Sequence, residues 1–151
     1  MQHIAFTLAL LCGASCLSAQ TLTGQWKTID DDNAGRVKSI VEITEDAGTY
    51  YGTVVELFRL PDEDQDPHCE KCSDDRKDQR VLGMQIVRGM EAGDGEWSEG
   101  SICDPKNGRV YDCKMWFEEG EPDVLQARAA PRGTPRGARA RAREPRGARG
   151  G

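Results

Sequence analysis

The chain has 151 residues and a formal net charge of −6, and 37% of its residues are hydrophobic. One hydrophobic core and one domain are expected at this length, which excludes a multidomain protein. The charge is unevenly distributed: residues 20–127 carry 25 acidic against 12 basic residues, whereas residues 128–151 carry eight arginines and one glutamate. The sequence therefore predicts an acidic domain followed by a basic tail.

The first 19 residues have the plan of a cleavable signal peptide. The segment 4–11 is apolar apart from one threonine, and small residues follow it up to Ala19. A membrane-spanning helix needs about 20 apolar residues, and no later segment approaches that length. We therefore expect an exported protein, periplasmic or secreted, that is cleaved near Ala19 and has no integral membrane span. The alternative is a buried strand or helix at the start of the domain.

Between the two ends, apolar residues recur with a period of two and turn residues follow about every ten residues, which indicates many short antiparallel strands. The predicted strands are 22–29, 37–44, 49–59, 81–88, 96–103, 109–117 and 124–127. Segments 96–103 and 109–117 form a hairpin, because the Pro of the turn 104–108 presets φ and its Asn-Gly tolerates positive φ. Such a meander closes into a barrel or folds into a sandwich, since open edges invite aggregation.

The charged segment 60–80 interrupts this pattern and contains Cys69 and Cys72. Loops of this length in small domains are usually functional or disordered. In an exported protein, paired cysteines are interpreted first as a disulfide. A bridge between Cys69 and Cys72 closes a small ring, so it would pin the loop rather than stabilise the whole domain.

The hairpin carries two further cysteines. If Asp104 faces Arg109, then Cys103 faces Val110. Cys113 lies three residues beyond Val110, and side chains alternate between the faces of a strand. A bridge between Cys103 and Cys113 is therefore not expected unless a bulge shifts the register, and a buried free thiol is the simpler interpretation of each.

The C-x-x-C spacing of Cys69 and Cys72 also occurs at redox and zinc sites. At a redox site a helix N-terminus in a βαβ context lowers the pKa of the first thiol, and neither is predicted here. The zinc candidates are His68, Cys69 and Cys72, with Cys113 as a fourth ligand, but no second cysteine pair at zinc-finger spacing accompanies them. A disulfide is the interpretation that we favour.

Calcium is a second metal to consider. Asp62, Asp64 and Asp66 occupy the first three ligand positions of an EF-hand loop. Pro67 then stands where the sharp turn needs Gly, and Ser73 where a bidentate Glu is needed. The segment is better interpreted as a solvated acidic loop, and no metal or other cofactor is predicted.

The sequence shows no catalytic constellation. His68 is the single histidine after the signal sequence, and it lies beside a cysteine that it cannot easily face. Neither a G-x-S-x-G elbow, an H-E-x-x-H motif nor a phosphate-binding glycine loop is present. The sequence therefore predicts a protein that is not an enzyme.

The tail 129–151 consists mainly of Arg, Gly, Ala and Pro and contains no large apolar residue. Nothing in it can offset the entropy of ordering the chain, so disorder is expected. An Arg-Gly segment could bind phosphates non-specifically, but nucleic acid is rarely available to an exported protein. Its composition is also what a shifted reading frame in GC-rich DNA would encode.

An ordered series of short motifs resembles one family. The motifs are Gly24-Gln25-Trp26, segments 39–43 and 51–55, Cys69-Glu70-Lys71-Cys72, Leu82-Gly83-Met84 and segment 104–111. Together they resemble the small exported bacterial domain-of-unknown-function family 2147, from residue 22 to about residue 128. The resemblance implies a lipocalin-like (calycin) β-barrel over residues 20–128 and no established activity.

Two departures from the family pattern stand out. Family members have Leu or a similar residue where this chain has Cys103, and they continue past Arg128 with further strands that the tail does not match. In lipocalin-like folds the last strand pairs with the first, so this resemblance implies a barrel that is incomplete at its C-terminal end. Bare strand edges predict poor folding or aggregation.

Three functions follow as hypotheses. The first is a non-enzymatic module of the cell envelope that binds a small apolar or amphipathic ligand in the barrel mouth. Interior residues expected to line that pocket are Trp26, Tyr51, Trp97 and Trp116. The alternatives are a redox or stress-related protein that acts through Cys69 and Cys72, and a structural or interaction protein of the envelope with an acidic surface.

Overall fold

The alternation of apolar and polar residues forms eight antiparallel strands. The computed structural model describes residues 20–29 and 35–133. Its strands are β1 (Gly24–Ile29), β2 (Val37–Asp46), β3 (Thr49–Leu57), β4 (Gln85–Ala92), β5 (Glu96–Ser98), β6 (Ser101–Asp104), β7 (Arg109–Phe117) and β8 (Leu125–Pro131). The predicted all-β class is confirmed. The signal sequence at 1–19 and the tail from residue 134 onward lie outside the described residues.

All eight strands belong to one curled sheet. Strands β1 to β4 pair in chain order, β4 then pairs with both β5 and β6, and β7 pairs with β5, β6 and β8. The rings of Trp26 on β1 and Phe117 on β7 lie 5.5 Å apart, which shows how far the sheet curls. Within residues 20–29 and 35–133 no ladder joins β1 to β8, so the barrel is incomplete, as predicted. The poor folding expected from its two bare edges stays a prediction.

The prediction of a single strand over residues 96–103 is wrong, because a break at Glu99 and Gly100 divides this segment into β5 and β6. Glu99 has a φ of 67°, and a Cβ at Gly100 would lie 2.5 Å from Met90 Sδ and 2.6 Å from Arg88 O. This close approach to β4 bends the chain, so that β5 pairs with the end of β4 and β6 with its middle. The cause is a contact with another strand, which local periodicity does not reveal.

Strand β4 begins at Gln85, four residues later than predicted. Residues 81–84 instead form a turn, in which Met84 N donates to Val81 O at 3.1 Å and Gly83 has a φ of 88°. Gly83 N donates to Val54 O, and Val54 N donates to Met84 O. These two backbone hydrogen bonds attach the turn 81–84, which follows segment 60–80, to β3.

Strand β8 extends past the predicted domain boundary at residue 128 and into the segment 129–151 predicted to be disordered. Ala129, Ala130 and Pro131 pair with Cys113, Asp112 and Tyr111 of β7. The hydrogen bonds of the ladder stabilise this part of the strand, although its small side chains bury little apolar surface. Pro131 stands at the end of an edge strand, where the absence of a backbone N–H breaks no essential ladder hydrogen bond. The expectation of disorder is therefore wrong for residues 129–131. Residues 134–151, for which disorder was also expected, lie outside the described residues.

Candidate functional site

The two ends of the barrel differ in how they are filled. At one end, the ring of Trp97 packs edge-on against Phe117 (5.7 Å between centroids) and against Tyr50 (6.2 Å), and Trp26 contacts Phe117 from the other side. Trp26 Nε1 donates to the carbonyl of the fully buried Leu22 at 2.9 Å. We call these four rings the aromatic cluster; they close this end of the barrel.

The other end opens as a cleft of about 820 Å³. It lies where β1, β3 and β6 end and where β2 and β7 begin. Its wall includes the apolar side chains Val54, Leu57, Ile86, Ile102 and Tyr111. A concave site of this volume with apolar side chains on its wall is typical of small-molecule binding.

Charged side chains ring this cleft, and within residues 20–29 and 35–133 its lining holds five basic and three acidic ones. The basic residues are Arg36, Lys38, Arg59, Lys71 and Lys106, and the acidic residues are Glu63, Glu70 and Asp104. Among the described lining residues, basic side chains are therefore in the majority.

Glu63 is held by two of these arginines. Arg36 Nη1 and Nη2 donate to its carboxylate at 3.2 and 2.6 Å, and Arg59 Nε lies 3.7 Å away. The Arg36 hydrogen bonds, with one from the backbone N–H of Leu60, lower the pKa of Glu63 to about 2. Glu63 thus stays ionised and fixes the start of segment 60–80 at the mouth of the cleft.

Segment 60–80 is ordered by backbone hydrogen bonds and a disulfide. Cys69 and Cys72 are bridged, as the spacing predicts. Cys69 N donates to Gln79 O at 2.8 Å, and Asp78 N donates to Cys69 O at 3.0 Å, so the two halves of the segment run alongside each other. The bridge therefore pins a folded loop beside the cleft.

The disulfide loop rests on the turn between β6 and β7. A Cβ at Gly108 would lie 2.0 Å from Lys71 O and 2.6 Å from Cys72 N, and Gly108 has a φ of 71°. Only glycine permits both this approach and this conformation without strain. Asp104 shapes the turn, because its carbonyl accepts from Gly108 N at 2.8 Å and its carboxylate accepts from Lys106 N at 2.9 Å.

This docking brings a third sulfur to the disulfide. Cys103 Sγ lies 3.7 Å from Cys72 Sγ, and the three sulfurs of Cys69, Cys72 and Cys103 lie within 4.8 Å of one another. We call them the sulfur cluster; all three residues are buried. Burial raises the pKa of the Cys103 thiol above its ordinary value.

The hairpin has the register that the sequence predicts. Cys103 pairs with Val110, and Asp104 pairs with Arg109. Cys103 and Cys113 are both buried free thiols. Cys113 is outside the sulfur cluster, and burial raises its pKa to about 11.

The structure separates the predicted metal ligands. His68 Nδ1 lies 2.9 Å from the carbonyl of Asp66, whose carboxylate accepts from Arg80 Nε at 2.7 Å. Asp64 Oδ1 accepts from Asp66 N at 3.0 Å, and Asp62 lies in the same exposed turn. Among the described residues, the group of metal-type ligands that lies close together is instead the sulfur cluster. With Cys69 and Cys72 bridged, it has a single thiol and does not fit a metal ion.

A buried ion pair within segment 60–80 has no clear sequence signal. Arg76 is only 2% exposed, and its Nε donates to both carboxylate oxygens of Asp74 at 3.1 Å. Arg76 lowers the pKa of Asp74 to about 2, chiefly through these side-chain hydrogen bonds. Next to it, Asp75 accepts two hydrogen bonds of 2.8 Å from Arg88 on β4. The first pair lies within the segment, whereas the second pair and the hydrogen bond from Arg76 Nη1 to Gln85 O at 3.4 Å hold the segment against β4.

None of the four side chains predicted to line the pocket borders the cleft. Trp26 and Trp97 belong to the aromatic cluster. Tyr51 is partly buried beside Tyr50, which provides the ring contact with Trp97. Trp116 donates to Glu118 in an exposed hydrogen bond and lies under the guanidinium of Arg128. Ligand contact by these four residues stays a prediction.

The profile of a bacterial family described as "Uncharacterized protein conserved in bacteria (DUF2147)" matches residues 24–133. Among solved structures, the chain is similar to protein HP1028 from the human pathogen Helicobacter pylori, which is described as belonging to the lipocalin family. The two share 15% identity over 72% of this chain and 71% of the other, with a TM-score of 0.56. The lipocalin-like fold is thereby confirmed. A search of curated proteins finds no match. No helix in the described residues is long and apolar enough to cross a membrane.

Proposed function

We propose that this chain, which belongs to the bacterial family DUF2147, is an exported, non-enzymatic module of the cell envelope. It would bind one small amphipathic ligand with a negatively charged head. The observation that supports this proposal is the cleft of about 820 Å³ at the open end of the barrel. Barrels of about eight strands can hold one small ligand.

The apolar tail of the ligand would lie against Val54, Leu57 and Ile102, at the inner wall of the cleft. Burial of each CH₂ group contributes about 0.8 kcal/mol, which is roughly a fourfold change in Kd. A series of straight-chain ligands should therefore bind more tightly with each added carbon until the chain fills the cleft.

The charged head of the ligand would lie at the rim, where Lys71 and Lys106 flank the opening. Positive potential at a cleft that is walled by apolar groups attracts anions more strongly than it would on an open surface. An alcohol of the same length should accordingly bind more weakly than the carboxylate.

Binding can be tested with dansyl-undecanoic acid as a fluorescent probe, which is then displaced by dodecanoate or by dodecanol. We expect saturable binding at one site and better displacement by dodecanoate. Leu57→Trp narrows the cleft and should weaken binding at least tenfold. Val55→Trp is the matched control, because Val55 on the same strand is 38% exposed and does not line the cleft.

The charge requirement has its own control pair. Lys71→Glu should weaken the binding of dodecanoate but not that of dodecanol. Lys27→Glu changes an exposed residue of β1 that does not line the cleft, and it should alter the affinity for neither ligand. No saturable binding, or equal losses of affinity in Leu57→Trp and Val55→Trp, would contradict the proposed function.

Export is tested separately. The intact mass of the protein from the envelope should correspond to a chain that begins at Gln20.

A further inference from the structure

We propose that the sulfur cluster is a thiol–disulfide exchange site, in which the Cys103 thiol attacks Cys72 Sγ and moves the bridge from Cys69–Cys72 to Cys72–Cys103. The proposal does not depend on ligand binding. It concerns three side chains from two separate parts of the chain, segment 60–80 and strand β6, which the fold brings together.

The geometry selects Cys72 as the sulfur under attack. Cys103 Sγ lies 3.7 Å from Cys72 Sγ, close to van der Waals contact. Two features hold this arrangement: Cys103 is fixed on β6 by its pairing with Val110, and the backbone of Cys72 rests on Gly108. Because the three sulfurs lie within 4.8 Å of one another, Cys103 Sγ lies to the side of the bond between Cys69 and Cys72, and exchange needs a shift of the sulfur atoms that brings it into line with that bond.

The step balances without an external oxidant or reductant. Cys103 loses its proton, and the thiolate forms a bond to Cys72 Sγ while the bond between Cys72 Sγ and Cys69 Sγ breaks. The bonding electron pair leaves with Cys69, which takes up the proton. One disulfide and one thiol are present before and after, so the reaction is an isomerisation.

The leaving group has an acceptor already in place. The carbonyl oxygen of Pro105, in the turn beside β6, lies 3.5 Å from Cys69 Sγ. A bridged sulfur has no proton to donate, whereas the released Cys69 thiol can donate to this carbonyl. The turn that brings Cys72 to Cys103 thus also receives Cys69.

The new bridge would have a different mechanical effect. Cys69 and Cys72 are separated by three positions, whereas Cys72 and Cys103 are separated by 31. A longer closed loop restricts the unfolded chain more strongly. Exchange would therefore fasten segment 60–80 to β6 and fix Lys71 and Asp104, which both line the cleft.

The charges around Cys103 predict how exchange depends on pH. Burial raises the pKa of Cys103; the guanidinium groups of Arg76 and Arg88 oppose this effect, and the carboxylates of Asp74 and Asp104 add to it. Because the thiolate is the nucleophile, exchange should be slow near neutral pH and should accelerate about tenfold for each pH unit below that pKa.

Peptide mapping can distinguish the isomers, because trypsin places Cys69, Cys72, Cys103 and Cys113 on four different peptides. The peptides are 60–71 with Cys69, 72–76 with Cys72, 89–106 with Cys103 and 110–114 with Cys113. The oxidised full-length protein is incubated from about pH 7 to about pH 9 without added thiol. It is then quenched with acid, blocked with N-ethylmaleimide, digested and analysed by mass spectrometry.

We expect the linked pair 72–76/89–106 to appear as 60–71/72–76 disappears, at a rate that rises with pH. Cys103→Ala should abolish the new linkage. Cys113→Ser, the matched control at a buried thiol outside the cluster, should leave it unchanged. The proposal is overturned if 60–71/72–76 is the only linked pair at every pH, or if 89–106 becomes linked to 60–71, since the attack would then fall on Cys69.

Discussion

The two ends of the barrel are held together by different kinds of interaction. At the closed end, four aromatic rings from β1, β3, β5 and β7 pack against one another. At the open end, ion pairs, a disulfide and close backbone contacts hold segment 60–80 around the cleft. Burial of large rings is non-directional and contributes much of the stability of a small domain, whereas backbone contacts and ion pairs fix positions. The closed end should therefore determine stability, and the open end the shape of the cleft.

The largest effect is expected at the closed end. Trp97→Ala removes the ring that contacts both Tyr50 and Phe117, and it should lower the free energy of unfolding by about 3 kcal/mol. Trp116→Ala is the control, because Trp116 makes an exposed hydrogen bond and a cation–π contact, and its loss should cost about 1 kcal/mol or less. Urea unfolding monitored by circular dichroism measures both. Equal losses would mean that the aromatic cluster is not the stabilising element.

An intermediate effect is expected where the disulfide loop rests on the hairpin. Gly108→Ala places a methyl group about 2 Å from Lys71 O at a positive φ, and it should cost about 2 to 3 kcal/mol and displace the loop. Gly95→Ala has nearly the same φ, 74°, with no atom within 4 Å of the added Cβ, and should cost about 1 kcal/mol.

The same pair of variants separates stability from cleft shape. Gly108→Ala should weaken binding of dansyl-undecanoic acid, and Gly95→Ala should not, even under conditions in which both proteins are fully folded. If the two variants have the same stability and the same affinity, the turn does not position the loop.

The smallest effect is expected at the ion pair between Asp74 and the buried Arg76 within segment 60–80. Asp74 has its pKa lowered to about 2 from an ordinary 3.8, so its pairing with Arg76 stabilises the fold fully above about pH 4. This contribution should be lost as the pH falls through about 2, because the carboxylate becomes protonated. Asp74→Asn should cost about 1 to 2 kcal/mol at neutral pH, a value reduced for the 36% exposure of Asp74.

The control for this pair lies in the same segment. Asp78→Asn removes an exposed carboxylate that pairs with Lys77, and it should change the free energy of unfolding by less than about 0.5 kcal/mol. The difference in stability between the wild type and Asp74→Asn should shrink between pH 4 and pH 2. A difference that is constant over this range would exclude Asp74 as the titrating group.

Much of the fold could be predicted because strand patterns are local. β7 has the predicted bounds, and the register that places Cys103 opposite Val110 follows from the Asn-Gly turn alone. The bridge between Cys69 and Cys72 agrees with the interpretation that their C-x-x-C spacing favoured. The break at Gly100 could not be predicted in this way, because its cause is the approach of β4.

The site was less predictable than the fold. Ligand contact by Trp26, Tyr51, Trp97 and Trp116 stays a prediction, and none of these four residues borders the cleft. Residues such as Leu57 and Lys71, which no motif distinguishes, line the cleft. A side chain's role at the end of a barrel depends on which strand ends meet there.

The β class, the hairpin register and the disulfide could be predicted from the sequence, because alternation, turn chemistry and short cysteine spacing act over a few residues. Three other features arise from the packing of distant segments: Cys103 lies beside Cys72, Arg76 is buried with Asp74, and one end of the barrel stays open. These features depend on how a curled sheet brings residues together that are distant in the chain. The positions of such residues are set by the packing of the whole barrel and not by their neighbours in sequence.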